Sequence, residues 1–310
     1  MRADLQARLN EFLGNTKYIN TDWFKYFFSM LDKCDVDENI IAKYMDYAFA
    51  PESIAGAKSS LGASKKNVFN NTVDSEKAIR EFFDYMESIS QTKGMEYLKT
   101  FLENGVGAIE ADMATHKEEG HTKNTCFFNM FLRQLIKENP QGVKLESLGT
   151  HMKDITVGGM PGNIEVVMAG VSLGHLHFEE DKSNVKTIQF TEFRTLPGLE
   201  KLGLGSYMFQ EFCREICAYK DEYSALAWSV KKGKDGEKAY SKWGAYPIDA
   251  TYSEDDGWGL NTTPLTKEEY DAWQGQMLYY FTPDMVKKNA AICSNRYDGY
   301  LTERYRALGD

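Results

Sequence analysis

The sequence predicts an α+β protein: a mixed, mostly antiparallel sheet with helices, preceded by an all-helical region and followed by a helical tail. Three observations carry this reading. Apolar residues recur at helical spacing from Leu5 to Ile136. Beyond Gly142 the pattern changes to short apolar runs separated by turn residues. After Pro197-Gly198, helix and strand patterns alternate. The expected boundaries are 1–142 for the helical N-terminal domain, 143–250 for the strand-bearing domain and 251–310 for an aromatic-rich helical extension.

Within the first domain, Leu5, Leu9, Phe12 and Leu13 define one helix that stops at Gly14-Asn15. Thr21-Asp22 caps a second, carrying Trp23, Phe24, Phe27, Phe28 and Leu31. Asp37 opens a third through Ile40, Ile41, Tyr44, Met45 and Ala48. Residues 52–72 read as a loop, and Asp74 or Ser75 then starts a helix that Gly94 breaks. A further helix passes through Tyr97, Leu98 and Phe101. Asp112, His116, Glu118, Glu119 and His121 read as a solvated loop, and 124–139 as the last helix of this domain.

In the second domain the strands are expected at 155–157, 164–168, 171–178 and 185–193, an antiparallel meander. A helix follows from Gly205 or Ser206 to Tyr219, a strand at 225–230, a short helix at 237–243 and a strand at 246–248. In the tail, Thr266 and Glu269 form a capping box, and Thr282-Pro283 starts a second helix. The two tail helices run through Tyr270, Trp273, Met277 and Tyr280, then through Met285, Ile292 and Tyr297.

Composition narrows the function classes. With 42% hydrophobic residues in 310, the chain can bury more than one core. A net charge of -10 argues against general nucleic-acid binding and favours a cationic partner such as an amine. The cysteines number five, an odd count without a CxxC pair, which reads as free thiols in a reducing compartment. No signal peptide and no apolar run of membrane-spanning length is seen. The expectation is a soluble, cytoplasmic protein that needs no membrane.

The most informative string runs Leu196-Pro197-Gly198-Leu199-Glu200-Lys201-Leu202-Gly203-Leu204-Gly205-Ser206. A strand ends, a glycine-bearing loop follows, and an amphipathic helix begins. Glycines admit a ligand close to the backbone, and a helix start offers unpaired N–H groups and positive potential to a pyrophosphate. The P-loop pattern fails, because Gly205 is followed by Ser206 and Tyr207. The dinucleotide pattern fails as well, because its third glycine position is Met208.

The string Glu200-Lys201-Leu202-Gly203-Leu204-Gly205 resembles the acyl-CoA loop of the GNAT superfamily: Arg or Gln, two variable residues, Gly, one variable residue, Gly or Ala. It departs at the first position, where Glu200 stands for Arg or Gln. An acidic group beside a pyrophosphate is unfavourable unless its side chain turns away. A second match is Ala239-Tyr240-Ser241-Lys242-Trp243-Gly244-Ala245-Tyr246, which is similar to the end of that family's domain. The resemblance covers roughly 150–250 and makes 143–250 a GNAT-like acyltransferase domain.

The resemblance implies an N-acetyltransferase that moves an acetyl group from acetyl-CoA, a co-substrate, directly to a primary amine. The acceptor would be a small molecule or a protein lysine. Backbone groups of Thr195 and Leu196 would pair with the pantetheine arm. The stretch Lys201, Leu202, Gly203, Leu204, Gly205 and Ser206 would hold the pyrophosphate through its N–H groups. Lys231, Lys232 and Lys234 would lie near the adenosine phosphates. Tyr240 would protonate the leaving thiolate, since a phenol and an alkyl thiol have similar pKa values, about 10 for the phenol.

Glu192, on the fourth strand, is the candidate base for the amine proton. Strict alternation puts it on one face with Ile188, Phe190 and Arg194, so pairing with Arg194 competes with that role. His175 and His177 share a face and could seed a metal site with Glu165 or Glu179. They are read as ordinary sheet residues, and no metal is expected. The alternatives to an enzyme of this class are a catalytically inactive GNAT-like module that binds a partner protein, and an effector or phage protein acetylating a host protein.

Overall fold

The computed structural model describes residues 1–15, 21–51, 53, 75–118, 126–147, 162–180, 186–219, 221–231, 235–253 and 257–292. The expected loop over most of 52–72, the strand at 155–157, His121, Lys232, Lys234, Cys293 and Tyr297 lie outside these residues. Internal packing divides the chain into two units. One comprises 1–144 with 166–173 and 195–204, the other 145–165 with 174–194 and 205–310.

The first unit is built on helices α1 (Ala3–Leu13), α2 (Thr21–Lys33), α3 (Glu38–Ala48), α4 (Ser75–Lys93), α5 (Met95–Glu118) and α6 (Phe127–Glu138). The side chain of Asp37 caps α3 by accepting from the Asn39 N–H. Gly94, at φ 92°, ends α4 in a conformation that costs glycine little. The aromatic stripes form the core: Trp23 stacks on Phe27 at 5.0 Å and meets Phe128 of α6 edge-on at 5.1 Å.

One expectation fails in this unit. The polar residues Asp112 and His116 are not in a loop, because α5 continues to Glu118. Charged residues on one side of a helix resemble a solvated loop when the apolar residues opposite them are sparse. Here Leu98, Leu102, Val106 and Ile109 keep that apolar side buried.

The sheet holds β1 (Val143–Ser147), β2 (Gly162–Met168), β3 (Val171–Glu180), β4 (Thr187–Thr195), β5 (Ser224–Lys231), β6 (Tyr246–Ser253), β7 (Gly257–Pro264) and β8 (Gln276–Phe281). Their order is β1-β2-β3-β4-β5-β8-β6-β7. The sheet is open and mostly antiparallel. Strands β2 and β3 are joined by Ala169-Gly170, with φ 52° and 74°, the left-handed pair that a two-residue hairpin needs. Strands β4 and β5 are parallel, connected through α7 (Leu204–Tyr219). Helix α8 (Asp235–Lys242) follows β5.

The stretch expected as a helical tail is a mixture. Its described part holds β7, the short helix α9 (Lys267–Ala272), β8 and α10 (Pro283–Ala290). The capping box at Thr266 and the Thr282 cap with Pro283 are both present. Met277 and Tyr280, expected on a helix with Tyr270, stand on β8 instead. That strand lies between β5 and β6, pairing antiparallel with both. The run Gln276–Phe281 is apolar after its first residue, so its pattern suits a strand buried on both faces. No described helix is long and apolar enough to cross a membrane. Cys34, Cys126, Cys213 and Cys217 are unbridged.

Candidate active site

In the first unit, the loop after β4 is a constructed turn. The Leu199 N–H donates to the Leu196 carbonyl at 3.1 Å, and Gly198 sits at φ 88° behind Pro197. This is the geometry of a turn with Pro second and Gly third. The Leu196 N–H donates to the Leu173 carbonyl at 2.8 Å. Both backbone groups of Leu196 thus already have partners within the protein, unlike the free pair expected for a pantetheine arm.

Helix α6 holds the same turn. Asn129 Nδ2 donates to the Pro197 carbonyl at 2.8 Å. Arg133 Nη1 donates to the carbonyls of Gly198 at 3.1 Å and Glu200 at 2.8 Å. Arg133 is itself paired through Nε with Asp112 of α5 at 3.1 Å, and Lys137 joins Asp112 at 3.0 Å. Asn129 and Arg133 were not singled out from sequence, and Asp112 was expected only in a solvated loop. Their signal was the helical spacing of Asn129 and Arg133, which puts both on one face of α6.

The departure at Glu200 has a local explanation. Its carboxylate Oε2 lies 3.6 Å from Nε2 of His116, so the side chain is directed at α5. Farther along, Leu199, Leu202 and Leu204 are buried while Lys201 and Gly203 are exposed. Lys201 at φ 64° and Gly203 at φ 86° make this alternation possible. Helix α7 starts at Leu204, so the N–H groups of Leu204, Gly205 and Ser206 have no helical carbonyl to pair with.

In the second unit, β4 departs from regular alternation. Phe190 and Phe193 are three positions apart, yet their rings lie 5.4 Å and 6.5 Å from that of Tyr240. In a regular strand they would face opposite sides. The alternation of faces is therefore interrupted between them. The parallel register with β5 runs from Thr187–Ser224 to Phe190–Ala227, while β4, neighboured by β3 on its other side, extends to Thr195. The alternation expected for Ile188, Phe190, Glu192 and Arg194 is broken here.

Tyr240 closes the cluster. It lies on α8 among Phe190, Phe193, Phe281 and Tyr279, and Trp243 stacks on Phe209 of α7 at 4.4 Å. Burial pushes the Tyr240 phenol well above its ordinary value. The near-balance with a thiol expected from sequence therefore shifts: in the free protein Tyr240 is a weaker acid. Gly205 faces the same ring of Phe193, and a Cβ there would meet its Cζ at 3.5 Å.

Glu192 turns away from Phe190 towards β3. Its Oε1 lies 3.5 Å from Nε2 of His175 and its Oε2 3.5 Å from Nδ1 of His177. Arg194 Nε is 2.8 Å from Oε1, so the expected pairing is present together with two histidine contacts. Burial raises the Glu192 carboxyl, but His175, Arg194 and His177 outweigh it and hold the group below its ordinary value. Burial and the neighbouring His175 lower His177. Both keep Glu192 ionised and His177 neutral near pH 7. Glu165 and Glu179, the partners considered for the histidines, are replaced by Glu192; Glu179 instead accepts from Gln189 at 2.7 Å.

A cleft of about 360 Å³ lies elsewhere in this unit, lined by Asp249, Asn261, Leu265, Glu269 and Trp273. It includes none of the residues singled out for chemistry.

The fold is thus mixed α/β, with a helical N-terminal region and an open, mostly antiparallel sheet. Solved GNAT acetyltransferases are similar to this chain over under half of its length. The ribosomal-protein-S18-alanine N-acetyltransferase of Escherichia coli is 8% identical, with 49% of this chain and 97% of that one covered and a TM-score of 0.31. Arabidopsis thaliana Naa50, in complex with a bisubstrate analogue, is 10% identical, with 46% and 99% covered and a TM-score of 0.31. A GNAT family acetyltransferase of Elizabethkingia anophelis with acetyl-CoA bound is 9% identical, with 46% and 98% covered and a TM-score of 0.31. No protein-family model matches the chain, and no curated protein matches it.

Proposed function

We propose that this protein is an N-acetyltransferase that transfers acetyl from acetyl-CoA to a primary amine. The observation that carries the reading is the end of β4. The strand's alternation of faces breaks between Phe190 and Phe193, its register with β5 runs to Phe190, and it leads into a glycine-bearing loop and the start of α7. A strand that parts from its parallel neighbour offers unpaired backbone groups to an amide-bearing arm. A glycine loop at a helix start offers N–H groups to a pyrophosphate.

In this reading, Lys201, Leu202, Gly203, Leu204, Gly205 and Ser206 hold the pyrophosphate through backbone N–H groups. Thr195 supplies the backbone contact to the pantetheine arm, and Leu196 braces it. The amine nitrogen attacks the thioester carbonyl, a C–N bond forms and the C–S bond breaks. The amine proton passes to Glu192, directly or through water, and the thiolate takes the proton of Tyr240. Burial keeps that phenol protonated until the thiolate develops. The acceptor is a cationic amine, on a small molecule or a protein lysine, drawn by the net charge of -10. The cytoplasm is the proposed site of action.

The test is calorimetric titration of the pure, folded chain with acetyl-CoA. Micromolar binding that disappears in Gly205→Glu is the expected result. Absence of binding to the folded wild-type chain would overturn the assignment.

A further inference from the structure

We propose that His175, His177 and Glu192 form a binding site for a divalent transition metal, with Zn²⁺ as the fitting ion. His175 and His177 are two apart on β3 and share a face, their rings stacked 4.7 Å apart. Glu192 of β4 meets both rings, Oε1 with His175 Nε2 and Oε2 with His177 Nδ1. One donor atom from each of the three residues lies within 4.8 Å of the other two.

The spacing suits a four-coordinate ion. Bonds of about 2.1 Å at tetrahedral angles place donor atoms about 3.4 Å apart. His175 Nε2 lies 3.5 Å from Glu192 Oε1 and His177 Nδ1 lies 3.5 Å from Oε2, so each imidazole meets a different carboxylate oxygen, while one ligand atom from each residue lies within 4.8 Å of the others. Two imidazoles and one carboxylate are a ligand set for zinc with one position left to water. The side chains are 31%, 25% and 33% exposed, while Nε2 of His175, the nitrogen that faces Glu192, is itself buried without a hydrogen-bond partner.

One feature opposes the ion. Arg194 occupies Glu192 Oε1 at 2.8 Å, and its positive charge repels a cation. Its side chain is 74% exposed and can swing into water when an ion arrives. Metal binding and proton uptake at Glu192 exclude one another. The binding itself does not depend on the acetyl-transfer reading.

Full-length protein stripped with a chelator is titrated with Zn²⁺ by calorimetry and with Co²⁺ by visible absorption. One ion per chain is expected, with the absorption of four- or five-coordinate Co²⁺. His175→Ala and His177→Ala each weaken binding by about tenfold or more, and Arg194→Ala tightens it. His177→Gln, which preserves side-chain bulk, gives the same loss if the alanine variant unfolds. No binding by the wild-type chain overturns the proposal. So does affinity unchanged in the folded histidine variants, which would locate the ion elsewhere, for example on a thiol. Weakened binding in Arg194→Ala would also overturn it.

Discussion

The carboxylate of Glu200 lies 3.6 Å from Nε2 of His116, so the acidic residue of the glycine loop is occupied by helix α5. Glu200→Gln should therefore change acetyl-CoA affinity by less than about threefold, or about 0.6 kcal/mol. The pair is partly exposed, and its loss should cost at most about 1 kcal/mol of stability. Calorimetry and urea unfolding measure the two effects. An affinity gain of tenfold or more in the variant would mean that Glu200 faces the ligand.

Arg133 links Asp112 to two carbonyls of the loop. Arg133→Ala leaves Asp112 with fewer partners and the carbonyls of Gly198 and Glu200 without this donor. A loss of about 2–3 kcal/mol is expected, together with weaker acetyl-CoA binding. Arg133→Lys keeps the charge beside Asp112 but not the forked contact, and should recover only part of both. Equal stability of all three proteins would show that the network contributes nothing.

Tyr240→Phe removes only the hydroxyl from a ring cluster. Turnover should fall by roughly 10²-fold or more, with acetyl-CoA affinity nearly unchanged. The folded phenol is raised by burial, so it stays protonated through its ordinary titration range. The wild-type rate should then show no alkaline loss from this group up to about pH 10. A pH–rate profile of both proteins checks this, and full activity in the variant would remove Tyr240 from the mechanism.

Gly203 and Gly205 should respond differently to alanine. Gly203 is at φ 86°, where a side chain is strained, and Gly203→Ala should cost about 1 kcal/mol or more. At Gly205 a Cβ meets only Phe193 Cζ at an ordinary 3.5 Å. Gly205→Ala should be neutral or stabilising by up to about 1 kcal/mol, as expected for glycine in a helix. Thermal unfolding of the pair decides; the reverse order would mean the loop is in another conformation.

Much of this was legible in the chain. The caps at Asp37, Thr266 and Thr282 were read from residue type, and Leu196 to Ser206 from glycine spacing. The reading of Asp112 and His116 as loop residues failed because charge was weighed over the sparse apolar side of α5. Met277 and Tyr280 were misassigned because a short apolar run suits both a helix and a buried strand.

The sequence by itself determined what is local: several helix starts, caps, turns, and a glycine-bearing loop that opens onto a helix. These follow from backbone sterics and from hydrogen bonds between near neighbours. Only the tertiary structure decided that β8 enters the sheet between β5 and β6, that Glu200 meets His116, and that Glu192 of β4 meets His175 and His177. Each of these depends on contacts between segments far apart in the chain. Residue spacing carries no record of which distant segment will supply the partner.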